Sequence, residues 1–384
     1  MIESIIIHVK KQIIRANKML YSLQYLRGVA ALLVVLYHSR GELNDIYAQK
    51  NLGNILFNYG YIGVDLFFMI SGFVIMLSTE KDSSVRSFIV KRLFRLYPVY
   101  LVCLLLCALI FTKPIDINYL KSLFFINLNY EKSAPWFGYS VISTAWTLTY
   151  EIIFYCIFSI AMKISWKHRH YISSAIIISS VLILGLVYNH EINVSGYATL
   201  NDPGAPWILK LFASPMLLEF IAGMVIYQIY SYAKNHDLKM ISTPLLLVSS
   251  FAFLFFYMSG YNGGHGLLNC GIYAFMLLLS LSVFETTRQI KFNKVLDWMG
   301  DISYSLYLIH TIVISILIKK YIDVPFYNPK LGFSNVILIL GVSLFISHIL
   351  FHAIEEPFRK WARHLVPRGN KIKTSNNDSI NING

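Results

Sequence analysis

LRGVAALLVVLYHSR, residues 26–40, is an apolar helix-forming run with a cation at its start and an imidazole near its end. Arg27 and His38 lie eleven residues apart, which at about 100° per residue is three turns plus roughly 20°. Both side chains therefore share one helix face, separated by roughly 16 Å along the axis at 1.5 Å per residue. A snorkelling Arg and a His satisfied by a neighbouring helix would explain the pair as structure. Their alignment on one face of a membrane helix explains it as part of a site.

The composition around this stretch sets the class. The chain has 384 residues, of which 56% are hydrophobic and only 14% charged, with a mean hydropathy of +0.56. Soluble domains carry about 25% charged residues, so the expected fold is an all-α polytopic membrane protein forming a single bundle. The net charge of +13 would suggest nucleic acid for a soluble chain. Here the basic residues cluster between apolar runs, so membrane topology accounts for them and no nucleic-acid partner is expected. Cys103, Cys107, Cys156 and Cys270 all lie inside apolar runs. They read as core packing rather than a disulfide framework.

Ten segments are long enough to span about 30 Å of hydrocarbon. They run approximately over 22–40, 60–79, 93–112, 143–163, 171–188, 209–230, 241–259, 267–284, 298–318 and 332–352. If the N-terminus is cytoplasmic, the inside segments hold 24 of the 33 Lys and Arg and the outside segments 9. That asymmetry predicts both termini inside. Residues 1–20 mix isoleucines with Lys10, Lys11, Arg15 and Lys18, predicting a basic amphipathic segment on the cytoplasmic membrane surface. The main domain is expected over 21–361, and 362–384 as a polar, disordered cytoplasmic tail. Residues 260–266 (GYNGGHG) read as a tight outer turn.

Ionisable groups at bilayer depth cost several kcal/mol unless paired or hydrated, so each needs an account. Those within the spans are His38, Asp65, Glu151, Glu219, His310 and His348. Asp65 lies in GYIGVDLFFMISGF, whose glycines permit close approach of another backbone or a ligand. Glu151 has Thr147 and Tyr155 at i−4 and i+4 on its face, and Ser303, Tyr307 and His310 form a polar stripe. His38, Asp65, Glu151 and His310 all fit the outer half of the bilayer, whereas Glu219 and His348 read as structural. On the inner side, SVRSFIVKRLFRLYP presents Lys91, Arg92 and Arg95. Plain inside-positive charge would explain these, as would recognition of a phosphate-bearing ligand by Arg forks. No metal-ligand spacing is convincing, since His348 and His352 lack a third partner nearby. Neither a nucleotide-binding glycine loop nor a G-x-S-x-G elbow is present.

Taken in order, LRGVAALLVVLYH, GVDLFFMISGFVI, FIVKRLFRLYPVY, AWTLTYEIIFY, GDISYSLYLIH and EEPFRKW resemble the membrane acyltransferase family 3. These are integral-membrane O-acyltransferases of bacterial surface polysaccharides, and the resemblance runs from about Leu23 to Trp361. It implies transfer of an acyl group, most often acetyl from acetyl-coenzyme A, to a sugar hydroxyl of an O-antigen, exopolysaccharide or capsule. By position it implies His38 as the catalytic His, Arg27 as its signature partner and Glu151 as the acidic residue. Arg92 and Arg95, with Lys91 beside them, would meet the acyl donor. It also implies a multi-pass protein of the bacterial inner membrane. No bound cofactor is implied, only acyl-coenzyme A as donor and a lipid-linked or polymeric glycan as acceptor. Some relatives carry a further esterase domain after the bundle, for which this chain is expected to leave no room.

The chemistry suits those residues. A sugar hydroxyl needs a positioned base, which His supplies, and Glu151 or Asp65 could orient its ring. A transporter or flippase of lipid-linked glycans would also use buried polar groups, but would show internal repeats. A non-catalytic scaffold gives no reason to align Arg27 with His38.

Overall fold

The computed structural model describes residues 20–111, 115–318 and 327–366. The segment expected on the membrane surface and nearly all of the expected tail lie outside these residues. The described residues form helices joined by turns and loops, without strands. Its principal helices are α1 Tyr21–Ser39, α2 Ile62–Ser78, α3 Val85–Ile110, α4 Trp146–Ile164 and α5 Arg169–Asn189. Then follow α6 Leu218–Ala233, α7 Lys239–Ser259, α8 Gly271–Thr287, α9 Lys294–Ile318, α10 Phe333–Leu350 and α11 Glu356–Leu365. Each of the ten expected segments falls on a helix. Eight helices among the described residues are long and apolar enough to cross a membrane. Two of the ten fall outside that set. The seventeen-residue α8 is short, and α1 carries Gln24, Arg27 and His38.

α1 tolerates those polar groups because it is packed among other helices rather than against lipid. Its first turn would leave backbone N–H groups unpaired. Glu285 of α8 accepts from Tyr21 N at 2.7 Å, Ser22 N at 2.9 Å and Ser22 Oγ at 2.5 Å. A carboxylate there also complements the helix dipole. α1 lies closely along α9, because Gly300 brings no side chain to the crossing. A Cβ at Gly300 would sit 2.2 Å from the Gln24 carbonyl oxygen. α2 and α6 approach in the same way at Gly223, whose Cβ would lie 1.9 Å from Met69 O. One large apolar cluster runs through the bundle from Leu23 to Leu350, with a small second one at Leu200, Ala205 and Ala213. α5 and α7, by contrast, leave most of their apolar side chains on the outer surface, as expected where lipid rather than water is the solvent.

Two expectations are corrected. Cys156 is exposed on the surface of α4, because its face points away from the core, whereas Cys103, Cys107 and Cys270 are buried. The tail expected from residue 362 instead continues α11 to Leu365, where Ala362 packs inward. Between α3 and α4, Ile117–Leu123 form a short helix capped by Asp116. Between α10 and α11 the chain makes a π-helical turn over Phe351–Glu355. Such turns rotate the following residues relative to the helix before them, and this one places Glu355 fully inside the bundle.

Candidate active site

α1 and α9 together carry the site. Near the end of α1, His38 meets His310 of α9. His310 Nδ1 lies 2.9 Å from Leu306 O, so that nitrogen donates and His310 Nε2 keeps its lone pair. His38 Nδ1 lies 2.9 Å from Val34 O and 3.3 Å from His310 Nε2. Both neighbours are acceptors, so His38 Nδ1 carries the hydrogen and shares it between them. The remaining nitrogen, His38 Nε2, is left as a base. His310 is fully buried and His38 half-buried, so the pair has one face away from solvent and one towards it.

Near the start of α1, Arg27 Nη2 donates to Ser303 Oγ at 3.1 Å. Arg27 also lines a cavity of about 60 Å³ with Arg92, Arg95, Ser71, Glu151, Thr147, Tyr304 and Tyr307. Arg92 is buried, donates to Ser78 Oγ at 2.6 Å, and has the Phe88 and Tyr155 rings within 5.6 and 5.7 Å. Arg95 forms no hydrogen bond among the described residues and faces the cavity. Arg359 of α11 adds a fourth cation, close enough to interact with Arg27 and Arg95, with its Nη1 3.7 Å from buried Glu355. Arg27, Arg92, Arg95 and Arg359 outnumber the nearby carboxylates of Glu151, Glu355 and Asp301, which leaves this end of the bundle with an excess of positive charge, suited to an anion. Lys91 points elsewhere, pairing with Asp82 at 2.8 Å on the surface. Burial pushes the Asp82 carboxyl up, but bonds from Lys91, Ser87 and the Ser84 N–H outweigh it and hold the group below its ordinary range.

The four polar residues expected to converge occupy three places instead. His38 and His310 meet. Glu151 lines the arginine cavity, accepting from Ser71 Oγ at 3.0 Å and from the Tyr155 hydroxyl. Asp65 is fully buried against His265 and the Gly266 N–H. Neither carboxylate bonds to His38, so the suggestion that one of them orients its ring is replaced by Val34 O and His310. The reason is rotational: Glu151 and Asp65 face other helix neighbours at their positions along α4 and α2. Tyr307 stands between the cavity and the histidines. Its hydroxyl bonds to Thr147 Oγ1 at 3.0 Å, and its ring lies 6.2 Å from that of His310.

Sequence reasoning missed Arg359, Glu355 and His265. The EEPFRKW run pointed to the first two without a role, and His265 carried only a turn signal. Glu219 and His348, read as structural, lie respectively against Asp65 and at 3.0 Å from Trp298 Nε1.

Comparison with known proteins places this geometry. Residues 20–352 match the family described as an acyltransferase domain. The exopolysaccharide production protein ExoZ of Rhizobium meliloti is 26% identical over 302 residues, covering 76% of this chain and 88% of its own. The O-acetyltransferase OatA of Staphylococcus aureus strain NCTC 8325 is 26% identical over 387 residues, covering 90% of this chain. The chain spans only 59% of that relative's length. A protein of the COL strain named as an O-acetyltransferase is 27% identical over 383 residues, with 58% of its length covered. No solved structure matches. The chain therefore belongs to the acyltransferase family, and is a multi-pass membrane acyltransferase.

Proposed function

We propose that the protein transfers an acyl group, in the first instance acetyl, from acyl-coenzyme A to a hydroxyl of a cell-envelope saccharide. One observation carries the reading. A single helix, α1, holds Arg27 in an arginine-lined cavity near one end and His38, with a free Nε2, near the other. In this reading the coenzyme's phosphates meet Arg95, Arg92 and Arg359, and its thioester reaches towards the histidines. His38 Nε2 takes the proton of the attacking hydroxyl as its oxygen bonds to the thioester carbonyl carbon. The C–S bond then breaks, and the imidazolium returns the proton to the departing thiolate. His310 accepts from His38 Nδ1–H and keeps the imidazole in the tautomer that can act as base. The saccharide class follows from what the relatives are named for, exopolysaccharide production and O-acetyl transfer.

We also place both termini in the cytoplasm, with ten crossings of the inner membrane, on the strength of the 24-to-9 split of basic residues. That puts the arginine end where acyl-coenzyme A is made. The direct test is purified protein in detergent or nanodiscs with acetyl-coenzyme A and candidate glycans, scoring both thiol release and acetylated product. Product formation that depends on His38 supports the reading. Thiol release unaffected by His38→Ala in a folded protein would overturn it.

A further inference from the structure

We propose that Asp65, Glu219, His265 and Cys270 form a binding site for a four-coordinate divalent transition-metal ion of the zinc class. The site is separate from the His38–His310 pair and its test needs no acyl transfer. Asp65 opens α2, Glu219 opens α6, and His265 and Cys270 come from the turn before α8. One ligand atom each from Asp65, His265 and Cys270 lies within 4.8 Å of the others, and all three residues are buried.

Glu219 supplies the independent observation. It is fully buried, and neither carboxyl oxygen has a normal hydrogen-bond partner. Instead the group lies against the Asp65 carboxyl, with the Gly266 N–H near it. A Cβ at Gly271 would meet Glu219 Oε1 at 3.2 Å, which puts that oxygen beside Gly271, the residue after Cys270. Two carboxyl groups pressed together in an apolar interior need a proton or a cation between them. Among the described residues no Lys or Arg bonds to either.

The donor set is one imidazole nitrogen, one sulfur and two carboxylate oxygens, which suits zinc over calcium or magnesium. Zinc ligand bonds of about 2.0 to 2.3 Å require side-chain rotations of Asp65, His265 and Cys270 from their present spacing, with Glu219 turning in as the fourth ligand. His265 Nδ1 now donates to Asp65 Oδ2 at 2.8 Å and would exchange that proton for the metal. The outer shell is in place: Gly266 N donates to Asp65 Oδ1 at 3.0 Å, fixing the carboxylate's orientation. The turn that brings His265 to Asp65 depends on Gly266, whose φ of +115° is open to glycine. The metal would pin the turn to α2 and α6 beside the histidine end. Tyr61 bridges the two, its ring 5.0 Å from that of His265 and 5.7 Å from that of Tyr37, the residue before His38.

The experiment uses full-length protein purified without chelator, assayed for metal by mass spectrometry, then stripped and titrated with Co²⁺ or Zn²⁺. The expected results are about one zinc per chain, a sulfur-to-cobalt absorption band on Co²⁺ addition, and a lower melting temperature after stripping that zinc restores. His265→Ala and Cys270→Ala should lose the band. If those variants fail to fold, the Co²⁺ spectrum and chelator response of the unmutated chain still decide the matter. Absence of both, together with an unchanged melting temperature in Glu219→Gln, would show a shared proton and overturn the proposal.

Discussion

His38 has two possible hydrogens and two structural reasons to hold only the one on Nδ1, the carbonyl of Val34 and the Nε2 of His310. His38→Ala should lower acyl transfer by roughly 10²- to 10⁴-fold, the usual worth of a general base, with melting temperature near that of the parent. His310→Gln keeps a group able to accept from His38 and should cost less than His310→Ala. Equal losses would mean that His310 contributes bulk rather than a hydrogen bond. At the other end, Arg95 is unbonded while Arg92 is already engaged with Ser78. Arg95→Lys retains the charge but loses the fork, so acyl-coenzyme A affinity should fall by part of the about 1.5–3 kcal/mol that a charge-assisted bond contributes. Lys91→Ala should leave that affinity unchanged, since Lys91 pairs with Asp82 at the surface. Isothermal titration of both variants separates specific recognition from general positive charge.

At the scale of elements, the site depends on how closely α1 lies against α9. Arg27–Ser303 and His38–His310 are bonds between the same two helices, near opposite ends of α1. Gly300 permits the approach, with no room for a Cβ beside Gln24 O. Gly300→Val should therefore part the helices, lowering stability by about 1–3 kcal/mol as overpacking does. It should also lower activity more than stability alone explains, because both bonds lengthen together. Thermal unfolding alongside kcat/KM at a temperature well below the transition checks this. A stability loss with full specific activity would mean that the two helices are not coupled to the chemistry.

For the whole molecule, α8 is the element on which topology turns, because its seventeen residues are short for a crossing. With ten crossings, reporters inserted at Lys132 and after Leu365 should report opposite sides, as should reporters at Gly263 and Lys291. The same side for the second pair would show that α8 does not cross. Agreement for the first pair would remove the orientation on which the donor reading depends.

The apolar period determined the helical class, the placing of the ten expected segments on helices and the shared face of Arg27 and His38, because these follow from local pattern along one chain. The six motifs in order determined the family. Partner choice was a different matter. Glu151 and Asp65 read as equal candidates beside His38, and only packing turned one towards the arginine cavity and the other to His265. His265 itself sits 200 residues from Asp65 in a glycine turn with no periodicity to mark its direction. Arg359 comes near Arg27 and Arg95 after a π-helical turn that resets the register beyond α10. Contacts between groups so far apart depend on helix rotation and crossing, which arise from the summed packing of the bundle and leave no trace in the spacing of any one segment.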